Sequence, residues 1–287
     1  MLLLTLVLAH LIADFYMQTD EMVLDKMKNI KKHIGHHFLV NLLVLVGFLL
    51  FYFNDVSELK NIILTLLFIV GTHLVVDLLK IKLLDRVNIN KEENLKRLGF
   101  FLLDQLLHFL SILLACKLFL GIDITIIHNL ILHDGGLSTV NTTLFILIIF
   151  ILATSVAGHM IKILLGSFPN HLLTFEGKYV FKNDQQEDYF ANRISGKRGL
   201  TEEYNYTIFS KHDLSRGKLI GYIERLLVLV LTYYSAYPAI GFIVAAKSIA
   251  RFKQMDDRDW AEYFLLGTLA SMFIGLLLGI LLREVLM

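Results

Sequence analysis

The sequence predicts an all-α protein, a polytopic transmembrane bundle of about eight helices. First, 56% of its 287 residues are hydrophobic and the mean hydropathy is +0.63. Second, only 18% of the residues are charged, against about 25% in soluble domains. Third, long apolar runs alternate with short charged connections. Since backbone groups in hydrocarbon must form hydrogen bonds within their own segment, helices are the form that such runs adopt.

The apolar runs predict eight helices in order along the chain. Their approximate limits are 2–17, 37–53, 61–84, 98–120, 140–165, 218–235, 238–252 and 260–284. The first, sixth and seventh runs are short for a span, which needs roughly 20 apolar residues. The first run lacks a basic start and contains His10 and Asp14, so we interpret it as a retained span and not as a cleaved signal peptide.

Basic residues predict the orientation of the spans. The first and fifth connections carry four and seven Lys or Arg residues, and the third and seventh carry six and three when the adjoining helix ends are included, whereas the second carries one and the fourth and sixth carry none. Connections rich in Lys and Arg face the cytoplasm. We therefore expect a multi-pass protein of the cell inner (plasma) membrane with both termini external. The net charge of +1 provides no strong field that would attract nucleic acid.

Four regions follow from these limits. Residues 1–120 form a four-span N-terminal bundle, 121–165 an external loop with the fifth span, 166–217 a polar cytoplasmic linker or cap, and 218–287 a three-span region. The single cysteine, Cys116, lies inside an apolar run. It excludes a disulfide framework within the chain and a Cys-rich zinc site.

Each of the first four predicted spans carries two polar side chains four residues apart. The pairs are His10/Asp14, His37/Asn41, His73/Asp77 and Asp104/His108. This spacing places both members of a pair on one helical face. Because successive spans run in opposite directions, all four pairs fall in the cytoplasmic half of the membrane. Residues 9–14 and 72–77 also share a small-His-Leu-aliphatic-aliphatic-Asp pattern, which suggests a duplicated helical hairpin.

Imidazole and carboxylate groups at one depth predict a metal site. Ionisable groups in a bilayer are costly unless they are paired or coordinated, and these groups are ligands for Zn²⁺, Fe and Mn²⁺. Asn41 and Gln105 are suited to orienting ligands or substrate. The expected cofactor is a divalent metal ion, with zinc as one candidate. The candidate ligands are His10, Asp14, His73, Asp77, Asp104 and His108, with His37 as a catalytic general base or a seventh ligand.

A second set of polar residues lies in the C-terminal spans. Lys247 and Arg251 form a basic pair four residues apart, and we interpret them as a pocket for a phosphate or an anionic lipid headgroup. The alternative is that they extend to the interface and form ion pairs, with Glu224 and Glu262 as partners.

Three functions remain open at this point. The first is a metal-dependent membrane hydrolase that acts on a lipid or phosphate-bearing substrate at the cytoplasmic leaflet. The second is a transporter that uses the same groups as a proton or metal relay, although transport sites favour the bilayer midplane. The third is a non-catalytic scaffold in which the polar groups hold helices together. The bilayer is the expected partner in all three.

Several of these segments resemble a known family. The start, His10-Leu11-Ile12-Ala13-Asp14-Phe15 with Gln18, is similar to the opening of a bacterial membrane family called domain of unknown function 3307. The His33–His37 run, Thr72-His73 with Asp77, and Asp104-Gln105 with His108 resemble the rest of that domain, over about residues 1–120. The stretch from Ile220 to Thr268 resembles the extension of longer members. The resemblance implies no activity, and only by analogy is its His/Asp pattern similar to that of membrane-bound metal-dependent hydrolases.

Overall fold

The computed structural model describes residues 1–19, 22, 26–52, 57–87, 93–122, 137–166, 211–256 and 258–287. Within these residues the chain is helical and contains no strand, so the predicted all-α bundle is confirmed. The eight helices are α1 (Leu2–Phe15), α2 (Lys26–Tyr52), α3 (Ser57–Val87), α4 (Asn94–Leu120), α5 (Thr139–Leu165), α6 (Lys211–Tyr233), α7 (Tyr237–Ala250) and α8 (Arg258–Leu286).

Five of the eight helices are long and apolar enough to cross a membrane, namely α2, α3, α4, α5 and α8. Helices α1 and α7 are apolar but shorter. The chain is therefore a membrane protein with several spans, whereas the full count of eight spans stays a prediction. The polar segment predicted at 166–217 lies mostly outside the described residues, since positions 167–210 are not among them.

Four helices begin at least four residues earlier than the apolar runs predicted. Helix α2 begins at Lys26 instead of residue 37, α3 at Ser57 instead of 61, α4 at Asn94 instead of 98, and α6 at Lys211 instead of 218. The added turns are polar, so hydropathy does not detect them, but Lys, Met and Ile are adequate helix formers. A helix that continues past the apolar region keeps its backbone groups hydrogen-bonded. Because α2 begins at Lys26, His33 also lies on this helix.

Helices α1 to α4 close into a four-helix ring, in which α1 contacts α2 and α4, α2 contacts α3, and α3 contacts α4. Along the axis of this ring, the interior of one half is lined by apolar side chains. Leu6, Leu45 and Ile112 are fully buried there, together with Ala115 and Cys116. These residues lie near the N-terminus of α1, in the C-terminal halves of α2 and α4, and opposite the polar pairs. The apolar half therefore fixes the helix packing and leaves the other half for polar side chains.

The remaining helices form a second group, in which α6 packs against α8, and α7 against α6. Helix α5 contacts both groups and contains a π-helical turn over Leu152–Val156. The carbonyls of Ala153 and Thr154 in this turn accept hydrogen bonds from the buried guanidinium of Arg225, whose Nη1 donates to Ser271 Oγ at 3.3 Å. The wider turn frees carbonyls that would otherwise bond within the helix.

At the surface and around the polar pairs, the burial pattern is opposite to that of a water-soluble protein. His37, Asn41 and Asp77 are at most 1% exposed, whereas Leu50 is 74% and Phe51 is 82% exposed. Outward apolar side chains around an interior of polar groups suit a hydrocarbon surrounding, because a soluble protein rarely exposes so much contiguous apolar surface.

Candidate metal centre

Five histidines and three aspartates meet at one end of the α1–α4 ring. Their four-residue spacing turns both members of a pair inward, and the alternating helix directions bring the pairs to the same end. All eight residues are at least nine-tenths buried. Helix α1 contributes His10 and Asp14, α2 contributes His33 and His37, α3 contributes His73 and Asp77, and α4 contributes Asp104 and His108. We refer to these eight residues as the His/Asp cluster.

Asp14 lies at the centre of the cluster. Its Oδ1 is 2.9 Å from Nε2 of His37, 3.5 Å from Nε2 of His33 and 3.9 Å from Nε2 of His73. Its Oδ2 accepts a hydrogen bond from the amide of Gln105 at 2.9 Å. One carboxylate thus contacts side chains from α2, α3 and α4, and it holds the four helices in register at this depth.

The two other carboxylates each bind a lysine with one oxygen and face the histidines with the other. Lys26 Nζ forms an ion pair with Asp77 Oδ1, and Lys80 Nζ with Asp104 Oδ2 at 2.6 Å. Asp77 Oδ2 lies 3.4 Å from Nε2 of His33, and Asp104 Oδ1 lies 3.5 Å from Nε2 of His108. The lysines therefore orient the inner oxygens toward the interior of the cluster.

The spacing of these atoms suits ligands around an ion. All five imidazoles direct Nε2 at a carboxylate oxygen, most of them at 3.4–3.9 Å. Ligands about 2.0–2.1 Å from a tetrahedral metal are separated from one another by about 3.3 Å. Nε2 of His33 also lies 3.1 Å from Nε2 of His73, and the rings of His37 and His73 stack with centroids 3.7 Å apart. Donor atoms of Asp14, His33, His37 and His73 thus lie within 4.8 Å of one another, close enough to share one ion.

Several buried polar atoms of the cluster have no hydrogen-bond partner among the described residues. They are Nε2 of His10, Nδ1 of His33, Oδ2 of Asp77, Oδ1 of Asp104 and both ring nitrogens of His108. An unsatisfied buried polar atom costs about 1–3 kcal/mol, and a charged one costs more. A bound cation would satisfy the carboxylate oxygens and one nitrogen of each ligating imidazole, so the donor set fits a divalent metal ion.

The charges of the cluster support the same conclusion. Among the residues that the structure describes, its three carboxylates are matched by two ammonium groups, those of Lys26 and Lys80. With neutral imidazoles, one negative charge stays uncompensated inside a membrane bundle. An uncompensated buried charge is unfavourable, so a divalent cation is the species that this surrounding favours.

All six predicted ligands and His37 lie in the His/Asp cluster. The two predicted anion-binding residues, Lys247 and Arg251, lie outside it. Lys247 pairs with Glu224 at 2.6 Å, and its amine lies 5.4 Å from the ring of Phe264. The guanidinium of Arg251 lies 6.0 Å from the same ring. Both residues belong to the C-terminal group of helices, because α7 packs against α6. Anion binding by Lys247 and Arg251 stays a prediction.

Sequence reasoning missed three members of the site. His33 lies four residues before His37, which is the signal that identified the other pairs, but the predicted helix began too late to include it. Lys26 and Lys80 belong to polar helix ends, where a lysine is normally solvated. Their side chains are 22% exposed, and each reaches back to a carboxylate of the cluster.

The two predicted accessory residues differ in what they contact. Gln105 donates to Asp14, as a residue that orients a ligand would. Asn41 donates instead to the backbone carbonyl of His37 at 2.8 Å, and its own Oδ1 has no partner among the described residues. Asn41 therefore acts on the backbone of α2 and not on a ligand imidazole.

Comparison with known proteins gives one match. No curated protein and no solved structure matches the chain. The family described as Protein of unknown function (DUF3307) matches residues 2–133, which include α1 to α4 and the whole His/Asp cluster. This agrees with the resemblance seen in the sequence: the N-terminal four-helix part of this membrane protein is similar to the DUF3307 family.

Proposed function

We propose that this membrane protein is a metal-dependent hydrolase whose divalent ion is bound by the His/Asp cluster. The observation that carries the proposal is the convergence of five imidazole Nε2 atoms on three buried carboxylates, with several of these atoms left without hydrogen bonds. Helix-to-helix hydrogen bonding alone would pair these atoms, because unsatisfied groups are costly in a bilayer.

The residues suggest how the chemistry is divided. A bound divalent ion acts as a Lewis acid and lowers the pKa of a coordinated water to near neutrality. Since Nε2 of His37 faces the same Asp14 oxygen as His33 and His73 do, we assign His37 to the ligands. His10 Nε2 lies 3.6 Å from the other oxygen of Asp14 and has no hydrogen-bond partner within the described part of the chain, so His10 is placed to move a proton.

Access to the centre is from the end of the bundle where Lys26 and Lys80 lie. Their side chains are 22% exposed, whereas the cluster beneath them is buried. By the distribution of basic residues this end faces the cytoplasm, in an inner membrane with both termini outside. Two ammonium groups at the entrance favour an anionic substrate, so we propose a lipid or soluble molecule that carries a phosphate.

The test is metal-dependent hydrolysis by detergent-purified protein. Elemental analysis would be followed by phosphate release from lipid phosphate monoesters and diesters in mixed micelles, before and after EDTA treatment and with Zn²⁺ or Mn²⁺ restored. We expect a bound ion and a metal-dependent activity that His73→Ala abolishes. His36→Ala is the matched control, because His36 lies on α2 outside the cluster.

Other results would select the other two functions. If the purified protein binds no ion and proteoliposomes that contain it transport protons or metal ions, the protein is a transporter and not a hydrolase. If the protein neither binds an ion nor transports one, and alanine variants only lower the midpoint temperature of unfolding, the cluster is structural. The protein is then a non-catalytic scaffold.

A further inference from the structure

The His/Asp cluster contains more ligands than one ion can use. A catalytic zinc takes three protein ligands and keeps one open position, and structural sites take four. Eight buried imidazole and carboxylate groups converge here. A single ion with four protein ligands would use only half of them, so unpaired buried atoms such as Oδ1 of Asp104 would keep part of the cost that the ion is needed to remove.

The ligand atoms fall into two overlapping groups. Asp14, His33, His37 and His73 have donor atoms within 4.8 Å of one another, and so do His73, Asp77 and His108. Only His73 is common to both. One ring nitrogen has a single lone pair and serves one ion, so His73 belongs with the smaller group.

This division gives two sets of the same chemical type. Asp14, His33 and His37 form one set, and His73, Asp77 and His108 form the other. Each set has two imidazoles and one carboxylate, which is a ligand combination of mononuclear zinc and iron enzymes. The first set comes mainly from the α1–α2 hairpin and the second from the α3–α4 hairpin.

Independent observations mark the second set as a binding site. His108 and Asp77 are each 1% exposed. Both ring nitrogens of His108 and Oδ2 of Asp77 lack hydrogen-bond partners among the described residues. Asp104, whose Oδ1 is equally unpaired and 3.5 Å from Nε2 of His108, supplies a further carboxylate to this ion.

We propose that the cluster binds two divalent metal ions, one held by Asp14, His33 and His37 and the other by His73, Asp77 and His108. The inference rests on the proposed function and specifies its reaction type. Paired ions about 3.5–4 Å apart bind the attacking and the leaving oxygen of a phosphoryl group at the same time. With two divalent ions beside Lys26 and Lys80 the centre would carry a net positive charge, and a bound phosphate group is an anion that would compensate it.

The test counts ions in the full-length protein and in variants specific to each set. Detergent-purified chain is loaded with Zn²⁺ alone or with Mn²⁺ alone, desalted, and analysed for metal per chain. We expect two ions in the wild type, one in His33→Ala, one in His108→Ala and two in the control His36→Ala. Electron paramagnetic resonance of the Mn²⁺-loaded wild type should show the spectrum of an exchange-coupled pair.

The outcomes separate the two proposals. One ion per wild-type chain with an uncoupled Mn²⁺ spectrum overturns the two-ion centre but leaves the metal site intact. No ion in the wild type overturns the proposed function itself. If the alanine variants do not fold, the stoichiometry and the Mn²⁺ spectrum of the wild type still decide between one ion and two.

Discussion

Replacing Gln105 with leucine tests whether Asp14 is a metal ligand. The amide of Gln105 donates to Asp14 Oδ2 at 2.9 Å, and Asp14 is the carboxylate of the cluster with no lysine partner in the described ranges. Leucine keeps a similar volume but removes the donor. Oδ2 would then retain only the contact with His10 Nε2 at 3.6 Å, which is too long for a strong hydrogen bond.

The size of the effect follows from that one hydrogen bond. A hydrogen bond to a charged group contributes about 1.5–3 kcal/mol. At about 1.4 kcal/mol per tenfold change in affinity, its loss corresponds to an increase of roughly 10–100-fold in the dissociation constant for Zn²⁺. Substitutions of residues that orient metal ligands in other proteins weaken binding over the same range.

The assay is a Zn²⁺ titration in detergent against a chromophoric chelator. Thr65→Val is the matched control, since Thr65 is also buried and donates a hydrogen bond, but to the carbonyl of Asn61 in its own helix at 2.8 Å. We expect the control to bind Zn²⁺ like the wild type. A Gln105→Leu variant with wild-type affinity would refute the assignment of Asp14 as an oriented ligand.

Three further predictions concern stability, each measured as the midpoint temperature of unfolding in detergent. Arg225→Lys should destabilise the protein by about 1.5–3 kcal/mol, because an ammonium cannot reproduce the planar guanidinium contacts with the carbonyls of the π-helical turn; an unchanged midpoint would contradict this. Gly279→Val should cost about 1–3 kcal/mol, since a Cβ at Gly279 would lie 2.6 Å from Cβ of Thr232, whereas Gly241→Val meets open space and serves as the control; equal shifts in both variants would argue against close packing of α6 and α8. Removing metal with EDTA should lower the midpoint, because an ion at 100 times its dissociation constant contributes about 2.7 kcal/mol; no shift would mean that the folded state holds no ion.

The helices and the convergence of the polar pairs could be predicted because both depend on local sequence. Apolar runs define helices in a membrane, and a four-residue spacing fixes a helical face. The alternation of connections rich and poor in Lys and Arg then predicts which helix ends lie on the same side of the membrane. These rules alone place His10/Asp14 and His73/Asp77 at one depth, and in the structure Nε2 of His73 lies 3.9 Å from Oδ1 of Asp14.

The remainder depends on tertiary packing, which spacing does not reveal. Lys26 and Lys80 reach carboxylates on other helices, and this depends on how far α2 and α3 extend beyond the apolar region. Arg225 binds a π-helical turn whose position has no sequence signal of its own. The Gly275–Gly279 spacing shows its role only when α6 is seen packed against α8.

X-ray absorption spectroscopy of the Zn²⁺-loaded protein tests the central claim most directly, because it reports the atoms that surround the ion. Binding in the His/Asp cluster predicts nitrogen and oxygen neighbours at about 2.0–2.1 Å, the outer-shell scattering of several imidazole rings, and no sulfur. A spectrum with oxygen neighbours alone and no imidazole scattering would place the ion outside the bundle and contradict a buried histidine-rich metal centre.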